Sequence, residues 1–196
     1  FRHPKLVALA SLGVNSSDIT AEEEEIAAFS LLGADADATQ VRKEVAASCG
    51  VDADLVEDVY PCSPLQEGLV SLTAKRAGDY IMQSVLELRA DVDEHAFRTA
   101  WERVIRSTAI LRTRMVQHSE LGLLQAVVAE DIQWTEAEGL EEYLDKDKSA
   151  LMGLDDPLAR FAVVKEKQEG GDEKRWFVWT VHHTLYDGWS LPRIMD

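Results

Sequence analysis

Near the carboxyl end, two histidines, His182 and His183, close the run Arg175-Trp176-Phe177-Val178-Trp179-Thr180-Val181 and are followed by Asp187-Gly188. The run is apolar almost throughout, as expected for a strand covered on both faces. It would deliver both imidazoles at the strand's carboxyl end, where layered α/β proteins tend to place ligand sites. Asp187 could bond an imidazole nitrogen and fix its tautomer, as a carboxylate does in a hydrolase triad. It could equally pin the loop through an arginine. Gly188 allows close backbone approach, and its N–H is a candidate donor to a developing oxyanion. Neighbouring strand residues point to opposite faces, so one histidine should face a cleft while the other packs inward. The same divergence counts against a metal site, since no Glu-x-x-His partner follows. Taken alone, the spacing also fits two satisfied polar residues at a strand end.

The elements that must position this segment are readable from pattern. A short amphipathic helix is expected over the first dozen residues, with Leu6, Leu9, Ala10 and Leu12 on one face. A second should start after Thr20, with Glu23 as capping-box partner, and run to Gly33. A third, over about 38–48, should close at Gly50. Leu65–Thr73 reads as a short helix, and residues 80–89 as a strand with Met82, Ser84, Leu86 and Leu88 on one face. Asp93 is a good N-cap for a helix through Arg106, with Phe97, Trp101, Val104 and Ile105 as its buried stripe. Strands are expected at 111–117 and 123–128, a helix over Glu138–Leu151, and strands at 158–165 and 175–182 around the turn 168–172. Ser190 is a candidate cap for a helix beginning Leu191-Pro192. Strands and helices mixed in this way make an α/β or α+β two-layer structure.

The formal net charge of −16 argues against a nucleic-acid partner, because phosphate binding needs clustered Lys and Arg. Half of the imbalance lies in residues 1–60, where twelve acids face four bases, including Glu22-Glu23-Glu24-Glu25. That stretch reads as a solvated connector. No apolar run approaches membrane-spanning length, so a membrane partner is not expected either. Cys49 and Cys62 are too few for a disulfide framework or a four-ligand metal site and suit a reducing, cytoplasmic setting. Cys62, between Pro61 and Ser63 with no nearby base, is a poor nucleophile candidate. The start, Phe1-Arg2-His3-Pro4-Lys5, lacks an initiator Met and a signal core, so the sequence reads as an internal piece of a longer chain.

Three stretches together resemble a known family. Val181-His182-His183-Thr184-Leu185-Tyr186-Asp187-Gly188-Trp189-Ser190 is similar to the His-His-x-x-x-Asp-Gly-x-Ser signature of nonribosomal peptide synthetase condensation domains. Tyr60-Pro61-Cys62-Ser63-Pro64-Leu65-Gln66-Glu67-Gly68-Leu69 looks like the family's opening motif in its fungal wording. Arg106-Ser107-Thr108-Ala109-Ile110-Leu111-Arg112-Thr113-Arg114 resembles its second motif, with Ser107 where His is usual. The opening, Phe1-x-x-Pro4-x-Leu6-x-x-Leu9-Ala10, looks like the last helix of a carrier (thiolation) domain.

The resemblance implies a carrier tail over 1–12, an acidic helical linker over 13–54, and the amino-terminal lobe of a condensation domain over 55–196. That lobe would be chloramphenicol-acetyltransferase-like, one half of a V-shaped pair with the active site between. The implied activity is that of an acyltransferase-type enzyme of secondary metabolism. It joins a donor thioester to an acceptor amine, both tethered to phosphopantetheine arms on partner carriers, with no cofactor bound directly. His183 is then the catalytic candidate, with Gly188 allowing close approach and possible N–H donation. His182 and Asp187 are mainly structural, and Asp187 is a candidate partner of Arg112 or Arg106. Partners implied are the upstream and downstream carriers, the second lobe and an adjacent adenylation domain. An epimerisation or terminal cyclising domain shares fold and motif, and a non-catalytic docking platform is the alternative from another class. The isolated lobe is expected to be inactive.

Overall fold

A computed structural model describes residues 26–76, 78–167, 173–191 and 194. The helix expected over 1–12, the Thr20 cap, the acid block, the turn at 168–172 and Pro192 lie outside those residues. Among the described residues, side-chain caps open three of the α-helices. Asp37 accepts the N–H groups of Thr39 and Gln40 to open α1 (Ala38–Cys49), and Gly50, at φ 67°, closes it. Ser63 and Gln66 form a reciprocal capping box at the start of α2 (Pro64–Thr73), with proline in the first turn. Asp93 accepts from the Ala96 N–H to start α3 (Glu94–Ser107). Helix α4 spans Leu140–Ser149.

Among the described residues, seven strands form two sheets, giving a mixed α/β fold. Strands β1 (Val56–Pro61), β3 (Thr113–His118) and β4 (Gly122–Val128) make an antiparallel sheet in the order β1-β4-β3. The second sheet runs β2-β7-β6-β5, from β2 (Ile81–Leu88), β5 (Trp134–Glu138), β6 (Ala159–Lys167) and β7 (Glu173–His182). Only the β5–β6 pair is parallel among these pairings, and α4 makes the crossover between those two strands.

Alternation along β7 divides the interior. Phe177, Trp179 and Val181 face an aromatic core with Phe161 and, from α3, Phe97 and Trp101. Val178 faces the other way, with Ala162 and Val164, against Leu140, Tyr143 and Leu144 of α4. Residues Phe177 to Val181 are wholly buried, and each large apolar side chain among them stabilises the fold by about 1.5–3 kcal/mol. The first sheet packs Val56, Val59, Val116, Leu124 and Ala126 against Val41, Val45 and Cys49 of α1. The described part of the acidic connector, from residue 26, therefore contributes to a core.

Several expectations are corrected. Residues 26–33 are not the end of a helix reaching Gly33. Phe29 turns left-handed at φ 64°, with its N–H given to the Asp58 carboxylate, and only a 3-10 turn (Ser30–Leu32) follows. Leu111 and Arg112 belong to a 3-10 turn, and the strand begins at Thr113. The helix expected from Glu138 starts at Leu140, because Trp134–Glu138 pairs with β6 as an edge strand. Val104 is exposed, so the buried stripe of α3 is Phe97, Trp101 and Ile105.

One polar rung crosses the sheet. Thr180 on β7 is directly opposite Gln83 on β2 and Arg160 on β6, and all three side chains reach the carboxylate of Asp147 on α4. Gln83 Nε2 and Arg160 Nε donate at 2.7 Å each, and the Thr180 hydroxyl at 2.5 Å. Asp147 is only 6% exposed, so its charge is held by these donors and not by water. Asp147→Ala should lower unfolding stability by about 1–3 kcal/mol, because it leaves the buried Thr180 hydroxyl without its acceptor and removes the ionic partner of half-buried Arg160. Chemical denaturation midpoints at constant m measure the loss, and an unchanged midpoint would show that the rung contributes nothing.

Candidate active site

The two histidines part company at the end of β7. His182 is buried, 2% exposed, and both ring nitrogens are engaged. The Thr184 N–H and hydroxyl donate to Nδ1 at 3.2 and 2.9 Å. With Nδ1 accepting, the proton resides on Nε2, which donates to Thr73 Oγ1 at 2.8 Å. The Thr73 hydroxyl passes its own hydrogen to the Leu69 carbonyl at 2.9 Å. A second proton would have to sit on Nδ1, facing an N–H that already points at it. Burial, helped by neighbouring His183, pushes the His182 pKa from the ordinary 6.5 down to about 4.

His183 is half-buried at the head of a 3-10 turn (His183–Leu185). Its N–H donates to the Tyr80 carbonyl at 2.8 Å, and its ring stacks on Tyr186 with centroids 4.6 Å apart and planes 19° apart. Nδ1 is buried without a hydrogen-bond partner, which leaves Nε2 as the nitrogen a substrate can reach. The expected divergence of the two imidazoles is what the backbone produces.

Asp187 does not pair with either arginine. It is exposed, and its carboxylate accepts the N–H groups of Trp189 and Ser190 at 3.0 and 2.7 Å. Those bonds, the Ser190 N–H first, hold it below the ordinary carboxylate value. The Ser190 hydroxyl accepts from the Asp187 N–H at 2.9 Å, and Leu191 N–H donates to the Asp187 carbonyl. The cap for the turn after the motif is thus Asp187, with Ser190 as its reciprocal partner. Arg112 instead bonds the carbonyls of Ile105, Arg106 and Val128 and pairs with Glu57 at 2.8 Å. It ties the end of α3 to β1 and β4, satisfying carbonyls that the helix end leaves open. Arg106 pairs with Asp131 at 3.3 Å on the exposed surface. Ser107, where the family has His, donates to the Val104 carbonyl. Among the described residues, a Cβ at Gly188 would meet nothing within 4 Å, so they give no steric reason for glycine there.

Other groups have clear fates. Cys62 is buried against the Met115 sulfur at 3.4 Å, and burial pushes its thiol up to about 12, which removes it as a nucleophile. A cavity of about 800 Å³ lies beside α2, lined by Val70, Thr73, Met115, Leu123, Leu158 and His182. It therefore reaches the inward histidine. Thr73, Thr184 and Tyr186 carry contacts to the histidines that no spacing rule singled out; only the placement of Thr73 one helical turn after Leu69 hinted at an inward position.

His182 makes folding pH-dependent. Its folded pKa is depressed, so the unfolded chain binds a proton that the folded chain refuses between about pH 6.5 and pH 4. This contribution is complete above 6.5 and is lost as pH falls through that window, by about 2 kcal/mol at pH 5. Denaturation midpoints at pH 7, 6 and 5 should drop more steeply for the native sequence than for His182→Asn. Parallel pH profiles would overturn the assignment.

Comparison with known proteins gives the family. A family model described as Condensation domain matches residues 56–196. Nonribosomal peptide synthetase TES of Alternaria alternata is 54% identical over 194 residues, covering 99% of this chain and 4% of that protein. Peramine synthetase ppzA of Metarhizium rileyi is 45% identical over 196 residues, covering 100% of this chain and 7% of that protein. The chain thus spans a few per cent of the length of these relatives. Among solved structures, one titled holo T3CT superposes with TM-score 0.65 at 21% identity, over 85% of this chain and 39% of that one. The starter condensation domain of rhizomide synthetase RzmA superposes with TM-score 0.59 at 16% identity, over 70% and 35%. These likenesses show the fold. With the family model matching residues 56–196 and synthetase relatives matching the whole chain, the protein belongs to the condensation-domain family of nonribosomal peptide synthetases.

Proposed function

We propose that this chain supplies the histidine-bearing lobe of a domain that forms amide bonds between carrier-bound substrates. An upstream carrier presents an acyl or peptidyl thioester on its phosphopantetheine arm, and a downstream carrier presents an amine. The amine nitrogen attacks the thioester carbonyl, a tetrahedral oxyanion forms, and the carrier thiolate leaves with a proton. The observation that carries this reading is the pair of environments at 182 and 183. One imidazole is locked neutral in the interior, and the next is stacked, half-exposed and open at Nε2.

In this reading His183 Nε2 accepts the amine proton or orients the amine as a hydrogen-bond partner, with the ring's own proton on Nδ1. Gly188, with open space around its α-carbon, lets substrate approach the backbone, and its N–H is the candidate oxyanion donor. Asp187 shapes the turn that presents Gly188. The wall opposite His183 comes from the second lobe, and an adenylation domain supplies the loaded carriers. The match to 39% of the holo T3CT chain supports such a division. Both cysteines are free and buried, in keeping with a reducing cytoplasm, and no described helix is long and apolar enough to cross a membrane.

In the complete domain with loaded donor and acceptor carriers, His183→Ala should slow peptide formation by about 100-fold or more. Full activity in that variant would remove His183 from the chemistry. The 196 residues alone should give no turnover in the same assay; product from them would show that one lobe suffices.

A further inference from the structure

The opening motif, Tyr60 to Leu69, has no part in the chemistry above, yet its helix lies against the histidine segment. Gln66, Leu69 and Thr73 recur at i, i+3 and i+7 and share the inward face of α2, with Leu69 buried between the two polar residues. All four hydrogen-bonding positions of the Gln66 amide are used. Oε1 accepts the N–H and hydroxyl of Ser63 at 2.9 and 3.0 Å, and Nε2 donates to Gln125 Oε1 at 2.7 Å and the Thr184 carbonyl at 3.2 Å. Gln125 in turn donates to the Pro61 carbonyl, which fixes this amide to the first sheet. Two helical turns later, about 10 Å along the axis, the Thr73 hydroxyl holds His182 Nε2.

Thr184 is thereby held at every polar group. Its N–H and hydroxyl go to His182, and its carbonyl goes to Gln66. The segment on either side of His183 is gripped from the same helix, at the His182 ring before it and at the Thr184 carbonyl after it. Among the described residues, His183 itself has only its backbone bond to Tyr80 and its stack on Tyr186. The direction in which its ring points is consequently set by its neighbours' anchors.

We propose that α2 is a two-point bracket for the catalytic segment, with Gln66 and Thr73 as positioning residues that aim His183. This rests on the reading of His183 as the group that meets the amine. Neither residue touches reacting atoms. Each holds a partner more than one hundred residues away in sequence. Displacement of a catalytic group by about 1 Å can cost about 100-fold in rate, so loosening one anchor should show in kcat.

The test compares Gln66→Leu, Gln66→Glu, Thr73→Val and Thr73→Ser in the complete domain with loaded carriers. Gln66→Leu and Thr73→Val should lower kcat about 10-fold or more with KM for the acceptor within about two-fold of the parent. Thr73→Ser, which keeps the hydroxyl, should restore most of the rate. Gln66→Glu, of the same shape but without the amide donors, should behave like Gln66→Leu and covers the case in which leucine fails to fold. In parallel, the His182 ring is read by NMR in the 196-residue chain. Its Nε2 proton should be slow to exchange in the parent and in Thr73→Ser, and lost from view in Thr73→Val. Parent-like kcat in folded Gln66→Glu and Thr73→Val overturns the bracket, as does a Thr73→Ser rate no better than that of Thr73→Val. If the parent domain makes no peptide, the reading of His183 fails separately, and the NMR comparison decides the bracket.

Discussion

A single buried carboxylate sets the frame for the second sheet. Asp147 is largely withdrawn from water and must be satisfied by the protein, and the groups that do so come from three adjacent strands. A slip of β7 by one residue would turn Thr180 away from Asp147 and swing both flanking rows of side chains to the wrong faces. The aromatic core on one side and the aliphatic seam on the other would then exchange partners. The charge therefore acts as a register pin, and the register it fixes carries β7 on to the histidines two residues later.

From that pinned strand the site follows in short steps. Alternation sends His182 inward and releases His183 into a turn, and helix α2 fastens the pair from the side. The first sheet enters through Gln125, and α1 stiffens the far face of that sheet. The site is thus assembled from both sheets, although its motif is contiguous in sequence. Arg112 belongs to the same scheme at a distance, because it gathers the carbonyls where α3 ends and β3 begins.

Local chemistry was legible in the sequence, and long-range partnership was not. The cap at Asp93, the glycine stop at Gly50 and the continuous apolar run of β7 depend on residues a few positions apart, and they appear where pattern places them. The divergence of His182 and His183 was legible for the same reason. The partner of Arg112 was not, since motif order says which residues belong together and nothing about which atoms meet. Strand β5 was missed because it is a short edge strand whose two apolar residues, Trp134 and Ala137, are three apart and pack on opposite faces, so it shows no alternation, and its neighbour, β6, lies on the other side of a helix. The ties from α2 to Thr184 and His182 are likewise invisible to any window of sequence.

The neutral state of His182 has an electrostatic meaning for the residue beside it. Two imidazoles joined by one peptide bond would repel each other if both were charged, and a proton arriving at the second would be opposed by the first. The hydroxyls and amide around His182 favour its neutral form, so His183 has a dipole next door instead of a like charge. The inward histidine, in that light, is an insulator built into the backbone of the site.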